Sequence, residues 1–152
     1  MKSIASVAIL LWVVTVMVFA WFFIKGNTTQ SGDGRTAIML QANERDLILS
    51  EMRGLLSATQ GILDGANRGD MQSVVNASIK AGTQGAADVN PMLMAKLPIE
   101  VKTLGMSVHH DMDDIAKAAA SGKPAAEITK MTAQMMSKCV ACHAAWQIKS
   151  TN

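Results

Sequence analysis

The first 25 residues contain an apolar segment that constrains how the rest of the chain can fold. Residues 4–24 include only two polar side chains in a run of 21. A helix of that length reaches roughly 31 Å, which matches the hydrocarbon core of a bilayer. Aromatic residues at 21–23 would lie at the headgroups, with Lys25 just beyond them. We therefore predict that residues 1–25 are a transmembrane anchor.

A cleaved signal peptide is the competing interpretation of this segment. The apolar core of a signal peptide normally covers about 7–15 residues and ends at small residues before the cleavage site. Here Val18-Phe19-Ala20 is a poor cleavage sequence, and the apolar run continues beyond it. We therefore expect the anchor to remain attached to the chain.

The remainder of the chain divides into a short linker and one domain. Residues 26–34 (GNTTQSGDG) are polar and lack periodicity, so we predict a flexible tether there and a single domain over residues 35–152. Beyond residue 25 the chain has 12 basic and 12 acidic residues, and its formal net charge is zero. Proteins that bind nucleic acid neutralise phosphates with basic clusters. The neutral composition therefore argues against a nucleic-acid partner.

Apolar residues recur at helical spacing in four segments of this domain, and the sequence shows no alternating strand pattern after the tether. The predicted helices are residues 35–66, a segment after an Asp70 N-cap, residues 98–122, and a segment after Lys123-Pro124, with a loop through residues 90–96. Their predicted inner faces are Ile48, Met52, Leu55, Leu56, Ile62 and Leu63; Met71, Val74, Val75 and Ile79; Val101, Leu104, Val108, Met112, Ile115 and Ala119; and Ile128, Met131, Met135, Cys139, Cys142 and Trp146. Short connections between four helices predict an all-α, antiparallel four-helix bundle.

One motif points to a specific chemistry. Cys139-Val140-Ala141-Cys142-His143 is a C-x-x-C-H sequence, the attachment signature of c-type haem, and it contains both cysteines of the chain. Two thiols three residues apart on a helix can each form a thioether with one vinyl group of the porphyrin. The imidazole that follows can then bind the iron as its proximal ligand.

Alternative uses of these residues fit less well. A zinc site usually needs four ligands, and a thioredoxin-type cysteine pair needs a βαβ context. We therefore expect one covalent haem c, attached through Cys139 and Cys142, with His143 as an iron ligand. Because this haem type is attached outside the cytoplasm, the domain is expected on the periplasmic side of a bacterial inner membrane.

The position of this motif near the end of the last of four helices resembles the cytochrome c′ family. The resemblance covers residues 35–149 and includes the stretch Arg45…Met52-Arg53 in the first helix. The segment Leu97-Pro98…Gly105…His109 also resembles a branch of small bacterial cytochromes c. The resemblance implies a four-helix bundle in which the first helix covers the haem face opposite the proximal histidine.

Two residues are candidates for the position next to the sixth coordination site of the iron. Helical geometry places Met52 about 40° from Ile48, near the middle of the inward face. By the resemblance Met52 is the distal ligand of a low-spin, six-coordinate haem, although Met52 in an ordinary core is the alternative. In five-coordinate relatives an apolar residue lies there, four positions after an arginine, and Arg45 to Leu49 has that spacing. Arg45 is either a partner of a haem propionate or a solvated charge.

Two other histidines lie together on the third predicted helix. His110 is expected to face solvent, and His109 is expected at the boundary of the inward face, in a surface or propionate-side role rather than as an iron ligand. Asp111, Asp113 and Asp114 are interpreted as a solvated acidic face beside them.

These expectations favour an electron carrier over an enzyme, because the sequence shows no nucleophile–base pair and no distal acid–base pair. The first hypothesis is a membrane-anchored monohaem cytochrome c that carries single electrons between redox partner proteins. The second is a five-coordinate protein that binds NO or CO. A third is an accessory haem subunit of a larger respiratory or photosynthetic membrane complex. The resemblance also allows a homodimer.

Overall fold

The structure is a computed structural model, and it describes residues 2–86 and 90–151. The chain is mostly helical, at 74%. In chain order the described elements are α1 (Lys2–Lys25), β1 (Thr28–Gln30), β2 (Thr36–Leu40), α2 (Ala42–Arg68), α3 (Met71–Lys80), α4 (Pro91–Lys96), α5 (Ile99–Ala120), α6 (Ala125–Ala145) and β3 (Trp146–Ser150). The prediction of a largely helical chain with one apolar N-terminal helix is confirmed.

A small sheet is the main departure from the predicted all-α domain. β2 lies in its centre, antiparallel to β1 and parallel to β3. Ala37, Ile38 and Leu40 are buried. A strand buried on both faces has a continuous apolar sequence instead of an alternating one. The prediction of no strands was therefore wrong, because the apolar run of β2 looked like the start of the first helix.

The first helix of the domain begins later than predicted. α2 starts at Ala42, where Gln41 and Glu44 form a capping box between side chain and backbone. It ends at Arg68, and Gly69 follows with a left-handed φ of 72°. β1 also gives secondary structure to part of the predicted tether.

Two further segments differ from the prediction. Trp146 was expected on the inner face of the last helix, but α6 ends at Ala145 and Trp146 opens β3. The predicted loop around residues 90–96 contains the short helix α4, whose N-cap Asn90 accepts a hydrogen bond from the Met92 backbone N–H. The predicted Asp70 N-cap is confirmed, because its carboxylate accepts from the Ser73 backbone N–H.

Four helices surround the main core of the domain. α2 packs against α3 and α6, and α5 packs against the same two helices. The main core consists of Ala58, Ile62, Ala66, Val74, Ala81, Val108, Met112, Ile115, Ala119, Ile128 and Met135. The predicted inner face of α5 is largely confirmed. Leu56, Leu63 and Ile79 were predicted to point inward, but they are 68%, 37% and 55% exposed.

A second, smaller core lies beneath the sheet. Ile38, Leu40, Leu93 and Leu97 form this sheet core, and Ile48, Met94, Val101, Trp146 and Ile148 pack around it. β2 leads directly into α2 and β3 follows α6 directly, so the sheet borders both the start of α2 and the end of α6. We call this end of the domain the sheet end.

Candidate haem-attachment site

The C-x-x-C-H motif lies within the last two turns of α6, which is helical without interruption from Ala125 to Ala145. On such a helix Cys139, Cys142 and His143 fall within an arc of about 100°. Both thiols are free and half-buried, and His143 is exposed. The motif therefore presents two thiols and one accessible imidazole from a single helix face.

The environment of the two thiols is apolar. Cys139 packs against the main core. Burial raises the pKa of the Cys139 thiol, and burial together with the neighbouring Cys139 raises the pKa of the Cys142 thiol. Catalytic and redox-active cysteines need a lowered pKa, because the thiolate is the reactive form. The raised pKa of both thiols is the opposite shift.

The candidate distal residues lie on the facing helix, at the same end of the domain. Leu49 and Met52 occupy the first three turns of α2, which begins at the sheet end where α6 terminates. Both side chains are half-buried. Among the described residues, neither belongs to the main core or the sheet core, whereas Ile48 packs on the sheet core. Met52 and Leu49 are therefore half-buried residues that lie outside both cores.

Two arginines lie near this end of the domain. Arg45 is partly exposed, and its guanidinium approaches the carboxylate of the neighbouring Asp46 at 3.3 Å. Arg35 pairs with Asp33 at 2.7 Å and donates a hydrogen bond to the backbone oxygen of His143 at 3.3 Å. Arg35 was not predicted as a site residue, because its proximity to the motif depends on the unpredicted pairing of β2 with β3.

Open space and exposed apolar side chains lie along the helices beside the motif. A Cβ atom added at Gly54 on α2, or at Gly105 on α5, would meet no heavy atom within 4 Å. A groove of about 460 Å³ runs between α2 and α6; its apolar lining is Leu56, Leu63 and Met136, and Thr59, Gln60, Asp64 and Asn67 also line it. Val140, inside the motif, is 68% exposed, and Met136, one turn before Cys139, is 40% exposed. Exposed apolar side chains therefore lie on α6 within one turn of Cys139, where an attached apolar prosthetic group would cover them.

His109 departs from the predicted boundary position. It is 6% exposed, and it lies beside a cleft of about 590 Å³ between α2, α3 and α5. Its Nδ1 donates to the Ala81 backbone oxygen at 2.8 Å, and its Nε2 lies 3.2 Å from a Glu51 carboxylate oxygen. A carbonyl oxygen and a carboxylate both accept, so this geometry suits the doubly protonated ring. The Glu51 carboxylate accordingly raises the pKa of His109.

This environment removes His109 from the set of iron ligands, since both ring nitrogens are occupied. The expected surface position is wrong, because His109 is 6% exposed. A polar side chain at the edge of a helical stripe can be buried when hydrogen-bond partners satisfy it, and here Glu51 lies on another helix. His110 is exposed, as predicted.

The three aspartates that follow are not one solvated acidic face. Asp111 pairs with Lys138 of α6 at 2.5 Å. Asp113 accepts hydrogen bonds from the backbone N–H and hydroxyl of Thr83, and that hydroxyl is the main cause of its lowered pKa. Only Asp114 is largely solvated, beside Lys117. Long-range pairing of this kind leaves no pattern in the local sequence.

Within residues 2–86 and 90–151, no group of three or more His, Cys, Asp or Glu side chains is arranged to hold a metal ion. The described residues therefore offer no match to a four-ligand zinc site. Comparison with family models, curated proteins and solved structures gave no match for this chain.

Proposed function

We propose that the chain is a membrane-anchored monohaem c-type cytochrome that carries single electrons on the periplasmic side of a bacterial inner membrane. The observation that supports this most directly is the C-x-x-C-H motif on one face of α6, with two free thiols and an exposed His143.

The roles of the residues follow from their position and chemistry. Cys139 and Cys142 hold the porphyrin by thioether bonds, and His143 is the proximal iron ligand. Haem c, when bound, supplies one-electron iron chemistry. Met52 is the distal ligand in this proposal, because its thioether lies at the sheet end without belonging to either core. Arg45 is exposed enough to partner a propionate.

The architecture that accompanies this proposal is an antiparallel four-helix bundle of the cytochrome c′ kind. The packing of α2 and α5 against both α3 and α6 supports it. The antiparallel relation of α2 and α6 follows from their shared location at the sheet end. The sheet is an addition to that architecture.

The membrane anchor in the proposal is α1. It contains a span from Ile4 to Lys25 that is long and apolar enough to cross a bilayer, and none of it is buried by the domain. A signal sequence would pass the same test of length and composition. An uncleaved α1 places the redox partners at or in the same membrane, as separate proteins or as the other subunits of a larger complex.

The test of the distal ligand is the optical spectrum of the reduced protein with and without CO. Met52 ligation predicts sharp, split bands that CO leaves unchanged. Met52→Ala should then give a broad high-spin spectrum that responds to CO, whereas the control Leu49→Ala should keep the sharp bands. If CO already changes the spectrum of the unaltered protein, the iron has a vacant position capped by Leu49, and the function is NO or CO binding.

A further inference from the structure

The end of α1 is clamped to the domain by backbone contacts instead of leading into a free tether. The backbone N–H of Asn27 donates to the Lys96 carbonyl oxygen at 2.7 Å, and the Asn27 side-chain amide donates to the Met39 carbonyl oxygen at 2.8 Å. Gly26 has a φ of +66°, and a Cβ there would lie 2.5 Å from the Lys96 carbonyl oxygen. Only glycine therefore allows this close approach to the α4–α5 junction.

A side chain of α5 holds the same end of α1. The Lys102 ammonium group donates to the Phe23 carbonyl oxygen at 3.0 Å and lies 3.6 Å from the centre of the Phe23 ring. A cation over an aromatic face is attracted by the negative charge density of the ring. Burial lowers the pKa of Lys102, in keeping with its position against this ring. α1 thus leaves the domain in a fixed direction.

Apolar side chains are exposed at this same corner. Met92 on α4 is 70% exposed, and Ile99 at the start of α5 is 38% exposed. The aromatic residues Trp21, Phe22 and Phe23 of α1 are also exposed, at 63%, 64% and 51%. Aromatic residues at the end of a membrane span normally lie at the headgroup level. The exposed residues of α4 and α5 therefore continue the surface at which α1 would leave the bilayer.

We propose that α4 and the first turn of α5 form a lipid-contacting seat, on which the domain rests against the bilayer that α1 spans. This proposal depends on α1 being an uncleaved anchor, as in the proposed function. The occupant of the seat is the boundary between headgroups and acyl chains of that membrane. Glu100 and Lys102 lie close together at the start of α5, and their opposite charges cancel. The surface therefore has no net charge there, and apolar contact carries the interaction.

The seat fixes which end of the domain faces the membrane. β1 begins three residues after α1 ends, so it starts within about 10 Å of the end of the anchor. The sheet end, which carries the motif, is therefore directed to the bilayer. A redox partner embedded in the membrane can reach this end, and the opposite end of the helices points away from it.

The experiment uses the full haem-loaded chain in neutral phosphatidylcholine vesicles that contain a photoactivatable lipid with its reactive group at the headgroup–acyl boundary. Peptides are identified by mass spectrometry after irradiation. We expect label on the end of α1 and on the peptide that contains Met92 and Ile99. The internal control is the α3 peptide that contains Ile79, an apolar side chain that is 55% exposed. This peptide should stay unlabelled.

Two pairs of variants test the cause of the labelling. Gly26→Ala should undock the domain and reduce label on the α4 peptide to the level of α3. Gly34→Ala carries the same kind of backbone strain, with a φ of +85°, but meets no atom within 4 Å, and should keep the label. Met92→Ser should weaken the labelling of the α4 peptide. The control Ile79→Ser should leave the labelling of the α4 peptide unchanged. Haem content verifies folding of each variant.

The outcomes separate the seat from the anchor. Label on α1 together with none on the α4 peptide overturns the seat and leaves the anchor intact. Equal label on the α3 and α4 peptides also overturns it, since a tethered domain touches lipid on all sides. No label on α1, or loss of α1 from the mature chain, refutes the anchor itself.

Discussion

The buried pair of His109 and Glu51 makes the stability of the domain depend on pH. In the folded state the carboxylate raises the pKa of His109 above its usual value near 6.5. The folded state therefore binds a proton more tightly than the unfolded state. The stabilisation is fully present below the unfolded pKa and is lost as the pH rises through the folded pKa.

Glu51→Gln removes the charge and keeps the shape. A hydrogen bond to a charged group contributes about 1.5–3 kcal/mol. The Glu51 side chain is 29% exposed, and solvent screens a partly exposed charge. We therefore expect the free energy of unfolding to fall by the lower half of that range, about 1.5–2 kcal/mol. For a domain of this size that lowers the melting temperature by roughly 6–8 °C at about pH 5.5, with little change at about pH 9.

Thermal unfolding followed by circular dichroism, on the full chain in detergent micelles, measures this difference. His110→Gln is the matched control, because His110 is the exposed neighbour on the same helix. In His110→Gln the melting temperature should depend on pH as it does in the unaltered protein. If Glu51→Gln lowers the melting temperature equally at both pH values, the charge of His109 does not stabilise the fold and the reasoning fails.

The same unfolding assay checks two further substitutions. Met112 is fully buried in the main core, so Met112→Ala should lower the free energy of unfolding by about 2–5 kcal/mol. Met136 is 40% exposed, so the control Met136→Ala should lower it far less. Equal losses would contradict the placement of the core. Asp70→Ala removes the N-cap of α3 and should cost about 1 kcal/mol, and Asp70→Asn, which keeps an accepting oxygen, should recover most of it. An unchanged melting temperature in Asp70→Ala would show that the cap does not stabilise α3.

The sequence was a good guide where structure depends on local periodicity or on a single residue. The buried face of α5 and the N-cap at Asp70 followed from spacing and from side-chain chemistry. The position of the motif near the end of the last helix was equally direct. Each of these features depends on neighbours within one helix, and such neighbours are visible in the sequence.

Features that depend on distant residues were missed. β2 has no alternation to mark it, and its strand character depends on β1 and β3, which are far apart in the chain. The burial of His109 depends on Glu51, which lies on another helix. Leu56 is exposed although its spacing suits an inner face, because helical periodicity does not say which neighbour is present to cover it.

The candidate site could be predicted only as a set of residues. Cys139, Cys142 and His143 form one motif, so their chemistry is local. The relation of Met52 to them depends on how α2 packs against α6, and this packing joins residues that are far apart in the chain. No local pattern in the sequence marks it.

A covalent haem on α6 would add its mass to the chain, so the mass of the intact mature chain is the sharpest test of the proposed function. The chain should be purified from a bacterial host that attaches c-type haem in the periplasm. We predict the mass of the polypeptide plus one haem, with the added mass on the peptide that contains Cys139 and Cys142. Cys139→Ser and Cys142→Ser should each leave only one thioether bond. A mature chain with the mass of the polypeptide alone, or with the two cysteines joined as a disulfide, would contradict it.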